Sequence, residues 1–207
     1  MKLSPLKVIA FLLSITLVFS VTARGDETET VVTGLDTVWE LRWASQDELL
    51  LTERRGRLLR WNGEEIQTIE ELSVVERGES GLMGMALDPE FSRNSLIYLC
   101  YTRRQNGNLE NVVERFKISE NRLAEGMILL DGMRASFIHD GCRLTFGPEE
   151  KLLITMGDSS RASLSQNRES LNGKVLRINR DGTIPEDNPI EGSPVFTLGH
   201  RNPQGLD

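Results

Sequence analysis

Only two histidines occur in the 207 residues, and one of them opens the segment His139-Asp140-Gly141-Cys142-Arg143, just ahead of a strand-like run. An imidazole titrates near neutral pH, so a neutral His139 is a candidate general base for a hydroxyl proton. Downstream, Asp158 follows Gly157 at the end of an apolar run. A carboxylate there can bond the second imidazole nitrogen and hold the tautomer. The last residues, Arg201-Asn202-Pro203-Gln204-Gly205-Leu206-Asp207, pair a permanently charged guanidinium with an amide that both donates and accepts. Such a pair suits negative charge that develops on a bound group. Each has a competing reading: a packed or surface imidazole for His139, a mere turn for Asp158, a surface loop for Arg201 and Asn202. The acidic stretches Glu64-Glu65, Glu70-Glu71 and 181–187 have no EF-hand spacing, and no metal is assigned within the chain.

The elements that must position these residues are strands. Past the first thirty residues the chain reads as short apolar runs separated by turn residues, with no helical period longer than two turns, which predicts an all-β fold. Residues 39–44, 48–54, 57–61 and 66–72 form a four-strand antiparallel meander, the unit of a β-propeller blade. The pattern recurs. Residues 42–52 lie on 145–155 without a gap, and 86–91 followed by 96–101 repeat the theme with a longer turn. Three blade starts follow, and Pro203-Gln204-Gly205-Leu206-Asp207 resembles the opening of a fourth inner strand. Regular turns also suit a β-sandwich, but self-similarity at blade length favours the propeller. An arc of three blades leaves apolar end faces, which predicts self-association through open edges.

Residues 1–23 read as a signal peptide, with Lys2 and Lys7 ahead of an apolar run over 8–21 and a small-residue cleavage pattern at Val21-Thr22-Ala23. The run is short for a membrane anchor, and no cysteine follows it for lipid attachment. Residues 24–30 read as a linker and 31–207 as the propeller domain, periplasmic or secreted. Removing Lys2 and Lys7 takes the net charge from −7 to about −9, which disfavours nucleic acid and anionic lipid as partners. Cys100, inside the apolar run 96–101, reads as an unpaired buried thiol, with a bond to Cys142 as the alternative.

Several segments together carry a family resemblance. They are Gly34-Leu35-Asp36 with Trp39, Leu51-Thr52-Glu53-Arg54, Gly78-Glu79-Ser80-Gly81-Leu82-Met83-Gly84-Met85-Ala86-Leu87-Asp88-Pro89, His139-Asp140-Gly141-Cys142-Arg143, Gly157-Asp158, Ser170-Leu171-Asn172-Gly173-Lys174-Val175-Leu176-Arg177 and Gly199-His200-Arg201-Asn202-Pro203-Gln204-Gly205. In order and spacing the chain resembles the soluble PQQ-dependent sugar dehydrogenases, the glucose/sorbosone dehydrogenases. The resemblance implies a six-bladed propeller, of which residues 31–207 make about the first half. It also implies hydride transfer from the anomeric carbon of an aldose to PQQ, giving a lactone, with a further electron acceptor as partner. By the same likeness His139 and Asp158 are catalytic, Arg201 and Asn202 meet the cofactor, and Glu79 contacts sugar hydroxyls. The family's calcium ligands and later cofactor-gripping cations are expected beyond Asp207.

The sequence also departs from the pattern. Cys142 stands where a second glycine is expected, adding a side chain where backbone approaches a ligand and a thiol near a quinone, and Ser80 and Asn172 replace further glycines. These changes suggest drift. Three classes of function stay open: an exported PQQ-dependent aldose dehydrogenase, a non-catalytic propeller fragment that binds a carbohydrate or a protein partner, and a metal-dependent lactone hydrolase.

Overall fold

Three four-stranded antiparallel sheets follow one another along the chain in the computed structural model, which describes residues 29–206; the leader assigned to 1–23 lies outside them. The first sheet comprises β1 (Val38–Trp43), β2 (Leu49–Glu53), β3 (Arg57–Trp61) and β4 (Ile66–Glu71). The second comprises β5 (Leu82–Leu87), β6 (Leu96–Gln105), β7 (Asn108–Ser119) and β8 (Arg122–Arg134), with the helical turn α1 (Phe91–Asn94) ahead of β6. The third comprises β9 (Gly141–Phe146), β10 (Leu152–Met156), β11 (Lys174–Ile178) and β12 (Val195–Leu198), with α2 (Ala162–Gln166) between β10 and β11. Within each sheet the strands pair in chain order, as propeller blades do. The internal repeat is structural. The offset that lays residue 42 on residue 145 carries β1 onto β9 and β2 onto β10 end to end. Residues 202–206 form no strand, so the expected fourth inner strand is absent among the described residues. No helix among them is long and apolar enough to cross a membrane.

The middle blade is buried on both faces. Leu82, Met85, Ile97, Leu99 and Val112 pack with Leu50, Leu58 and Ile69 of the first sheet. Met83, Tyr98, Cys100 and Val113 pack with Leu144, Ile154 and Leu176 of the third. A strand covered on both sides has no polar face to alternate with, which is why 96–101 reads as an unbroken apolar run. Each fully buried aliphatic side chain contributes about 1.5–3 kcal/mol. In β5 the two faces change parity across Gly84, where the register with β6 shifts. A Cβ on Gly84 would lie 2.0 Å from the Cys142 carbonyl oxygen, so only glycine lets β5 approach β9 this closely.

Polar groups tie the inner strands together. The Arg42 guanidinium donates through Nε to Met85 O (3.2 Å) and through a terminal nitrogen to Leu144 O (3.1 Å), so one side chain of β1 binds both β5 and β9. Buried Glu40 pairs with Arg143 of β9, whose Nε donates to Gln204 O at 3.0 Å. The strand β6 meets β7 in ten successive register pairs without a bulge, turning through Asn106 (φ 50°) and Gly107 (φ 81°), both left-handed as a tight hairpin requires.

The cysteines correct the sequence expectation. Cys100 of β6 and Cys142 of β9 form a disulfide, with Cα atoms 5.9 Å apart, joining the second blade to the third. Cys142 is fully buried and holds φ at 75°, a conformation in which glycine is at home. The backbone explains why glycine is expected there, and the bond leaves no thiol to meet a quinone.

Candidate functional site

Four connections converge at one end of the second and third blades: 75–81 before β5, 135–140 before β9, 157–173 after β10, and 199–206 after β12. Backbone bonds stack them. Ser159 N donates to His139 O (3.2 Å), Gly173 N to Gly157 O (2.9 Å), His200 N to Gly173 O (3.1 Å), and Asp158 N to Arg201 O (2.8 Å). The approach is close enough that a Cβ on Gly157 would sit 1.9 Å from His139 O. His139 (φ 66°), Ser159 (φ 53°) and Ser160 (φ 59°) are all left-handed without being glycine. Each such residue costs on the order of 1–3 kcal/mol, and such strain gathers where surrounding contacts fix a working geometry.

His139 lies at the centre of this end. Its Nδ1 is 2.8 Å from Asp158 Oδ1, with the two side chains 10% and 5% exposed. The same oxygen accepts from Ser160 N at 2.9 Å. An ionised carboxylate only accepts, so the contact places the proton on Nδ1 and leaves the Nε2 lone pair as the imidazole's basic site. Glu79 Oε2 accepts from His139 N (2.7 Å) and from Asn202 Nδ2 (3.0 Å), and Asn202 Oδ1 accepts from Gly141 N (3.1 Å). Residues from four separate segments are therefore joined by direct hydrogen bonds. Arg201 lines the same cavity of about 310 Å³ as Ile138, His139, Asp158 and Ser160, and its side chain is exposed. No carboxylate among the described residues forms an ion pair with it. The second histidine is engaged elsewhere, its Nε2 lying 2.7 Å from Thr197 Oγ1.

The structure brings together all five residues singled out in sequence, and it details how two of them are used. Oε2 of Glu79 is committed to holding His139 and Asn202, which leaves Oε1 for a ligand. Asn202 has one remaining N–H to offer.

Beneath the site lies a buried layer that sequence reasoning missed. Asp140 is fully buried, and burial pushes its carboxyl above the usual range against the opposing hydrogen bonds from Ser80, Ser136 and Asn111. Ser80 Oγ sits 2.7 Å from Asp140 Oδ2 and 2.8 Å from Ser136 O. The Ser80 hydroxyl thus lies between the Asp140 carboxyl and the Ser136 carbonyl and links them. Asn172 accepts from Arg134 N (3.0 Å) and donates to Arg134 O (2.8 Å) and Gly157 O (3.0 Å). Lys174, fully buried, donates to the carbonyls of Leu164, Ser165 and Asn172. Ser80 and Asn172, two of the departures that suggested drift, thus have hydrogen-bonded places. The one signal for Asp140 was its position beside His139.

Among the described residues no cluster of three or more His, Cys, Asp or Glu is placed to hold a metal ion. The family model for glucose/sorbosone dehydrogenase matches residues 35–207. The chain is 34% identical to quinoprotein glucose dehydrogenase B of Acinetobacter calcoaceticus, over 85% of this chain and 44% of that protein. Its fold is similar to the PQQ-bound aldose sugar dehydrogenase of Streptomyces coelicolor, with a TM-score of 0.74 and 32% identity, covering 84% of this chain and 54% of the other. It is also similar to the soluble aldose sugar dehydrogenase of Escherichia coli in its apo form, with a TM-score of 0.75 and 28% identity, covering 84% and 54%. The chain spans about half the length of the curated relatives it matches.

Proposed function

Because the chain belongs to the glucose/sorbosone dehydrogenase family, we propose that its site serves PQQ-dependent oxidation of an aldose at the anomeric carbon, giving a lactone. The observation that carries this reading is the His139–Asp158 contact in the lining of a cavity that Arg201 also lines. The residues fit an anionic, many-acceptor cofactor: Arg201 is a cation without an acid partner among the described residues, and Asn202 retains a donor. PQQ bound there supplies the two-electron acceptor for the hydride that leaves the anomeric carbon. Nε2 of His139 takes the anomeric hydroxyl proton, and Asp158 steadies the imidazolium that results. Glu79 holds the His139 backbone in its left-handed turn and offers Oε1 to a sugar hydroxyl. The guanidinium of Arg201 balances negative charge that builds in the cavity. Calcium support is part of the proposal from the family likeness alone, since no ligands for it are assigned here.

Export and association belong to the same proposal. The leader at 1–23 supports a periplasmic or secreted location, to be checked by N-terminal sequencing of the exported protein. The exposed Leu41 and Trp43 on the first sheet support pairing of copies, to be checked by light scattering.

The deciding experiment is titration of the purified chain with PQQ and calcium, followed by dye-coupled oxidation of a panel of aldoses, with His139→Ala as control. PQQ-dependent turnover that falls at least about 100-fold in His139→Ala is expected for a lost general base. A folded chain that binds no PQQ and oxidises no aldose refutes the reading.

A further inference from the structure

Beside the His139 cavity, on the same end of the second blade, lies a second cavity of about 400 Å³ whose lining includes Arg77, Arg104, Arg134 and Phe137. Three arginines in one cavity are unexpected in a chain of net charge −7. None of them forms an ion pair with a carboxylate among the described residues, because the neighbouring acids are engaged elsewhere. Glu110 and Asp131 pair with Arg103 at 2.8 and 3.6 Å, and Glu76 pairs with Arg54 at 3.4 Å.

The backbone around the cavity is held in place, while the three guanidinium groups stay exposed. Asn172 clamps the Arg134 backbone through both N and O. Arg104 donates to Gly107 O at 3.1 Å in the β6–β7 turn. Phe137 O accepts from Glu79 N at 2.9 Å, which fixes the backbone while the ring stays 59% exposed. An exposed aromatic face takes the apolar side of a pyranose, and guanidinium groups take carboxylate or phosphate through paired hydrogen bonds. Phe137 and His139 are two residues apart, so their Cα atoms are within about 7 Å of each other.

We propose that Arg77, Arg104, Arg134 and Phe137 form a subsite for the anionic residue of an acidic saccharide whose reducing-end sugar reaches His139. The subsite rests on the reading of the His139 cavity as a sugar site, and it names the substrate class more narrowly: an aldose extended by a sugar that carries a carboxylate or a phosphate.

The test is calorimetric titration of the purified chain at low salt with three disaccharides of one linkage and a free reducing glucose: one glucuronate-capped, one capped by a sugar 6-phosphate, one neutral. Inorganic phosphate is titrated alone as well. At least tenfold tighter binding of a charged disaccharide over the neutral one is expected, lost in the R77Q/R104Q/R134Q variant at an unchanged melting temperature. The single variants serve the same comparison if the triple one unfolds. The tighter of the two charged ligands identifies the anion. Equal affinities, a preference that survives in the triple variant, or inorganic phosphate binding as tightly as the phosphorylated disaccharide overturns the subsite. Turnover of neutral aldoses with PQQ is followed in parallel and is expected to be unchanged in the variants. Turnover without the charge preference defeats the subsite alone, and the preference without turnover defeats the dehydrogenase reading alone.

Discussion

Breaking the Cys100–Cys142 bond is the perturbation whose magnitude the structure fixes best. The bond closes a span of 42 residues, so its loss restores about 4 kcal/mol of chain entropy to the denatured state. Against a total of about 5–15 kcal/mol for an ordinary domain, that is a large share. Reduction alone leaves Cys142 at φ 75° and therefore reads the crosslink without the backbone term. Substitution reads both. In C100A/C142A the left-handed strain persists, whereas in C100A/C142G it is relieved, by about 1 kcal/mol for a non-glycine residue in this region. Guanidinium unfolding followed by tryptophan fluorescence is the assay. The oxidised protein is expected to exceed the reduced one by about 4 kcal/mol, with a smaller m-value because its denatured state is more compact. The glycine double variant is expected to exceed the alanine one by about 1 kcal/mol, opposite to the usual cost of glycine in a strand. Oxidised and reduced forms within about 1 kcal/mol of each other, or a glycine variant no better than the alanine one, would refute the reasoning.

Three further outcomes are expected. Asp158→Asn lets the orienting amide present a donor to Nδ1 and favours the wrong tautomer; PQQ-dependent turnover is expected to fall by about 10²–10⁴, and nitrogen-15 shifts of His139 to show its proton moved from Nδ1 to Nε2. Gly157→Ala sets a Cβ against His139 O, 1.9 Å away in the present geometry, and thermal melting is expected to show a loss of more than about 3 kcal/mol as the stacked connections separate. Burial raises the Asp140 carboxyl pKa, so between the ordinary carboxylate value and the folded one the folded chain binds more protons than the unfolded chain; the contribution is complete below the ordinary value and lost as pH rises through the folded one. Asp140→Asn, a permanently neutral mimic, is expected to flatten the decline in urea stability above that ordinary value, and an unchanged slope counts against the upward shift at Asp140.

The blades were legible because short strands and tight turns repeat in the sequence, and the repeat is local enough to survive without tertiary information. The site residues were legible as types, and the structure joins four of them by hydrogen bonds. What stayed hidden was long-range. The Cys100–Cys142 bond joins strands of different blades, and no periodicity within either strand reports on that approach. Glu79 holds the His139 backbone from a loop sixty residues away in sequence, a role that side-chain type cannot announce. Asp140 escaped notice because its burial follows from the left-handed turns at His139, Gly141 and Cys142, where the two-residue alternation of a strand does not apply.

The β6–β7 hairpin has a consequence for the order of events in folding. Its ten unbulged pairs are local in sequence, and its Asn106-Gly107 turn favours early closure, so its formation belongs to the microsecond range of isolated hairpins. The flanking blades need β5, β6 and β7 as a surface and have no comparable local ladder. The central blade is therefore expected to form first, with its neighbours condensing on it from either side; pulse-labelled amide exchange that protects β2 or β10 before β6 would contradict this sequence of events.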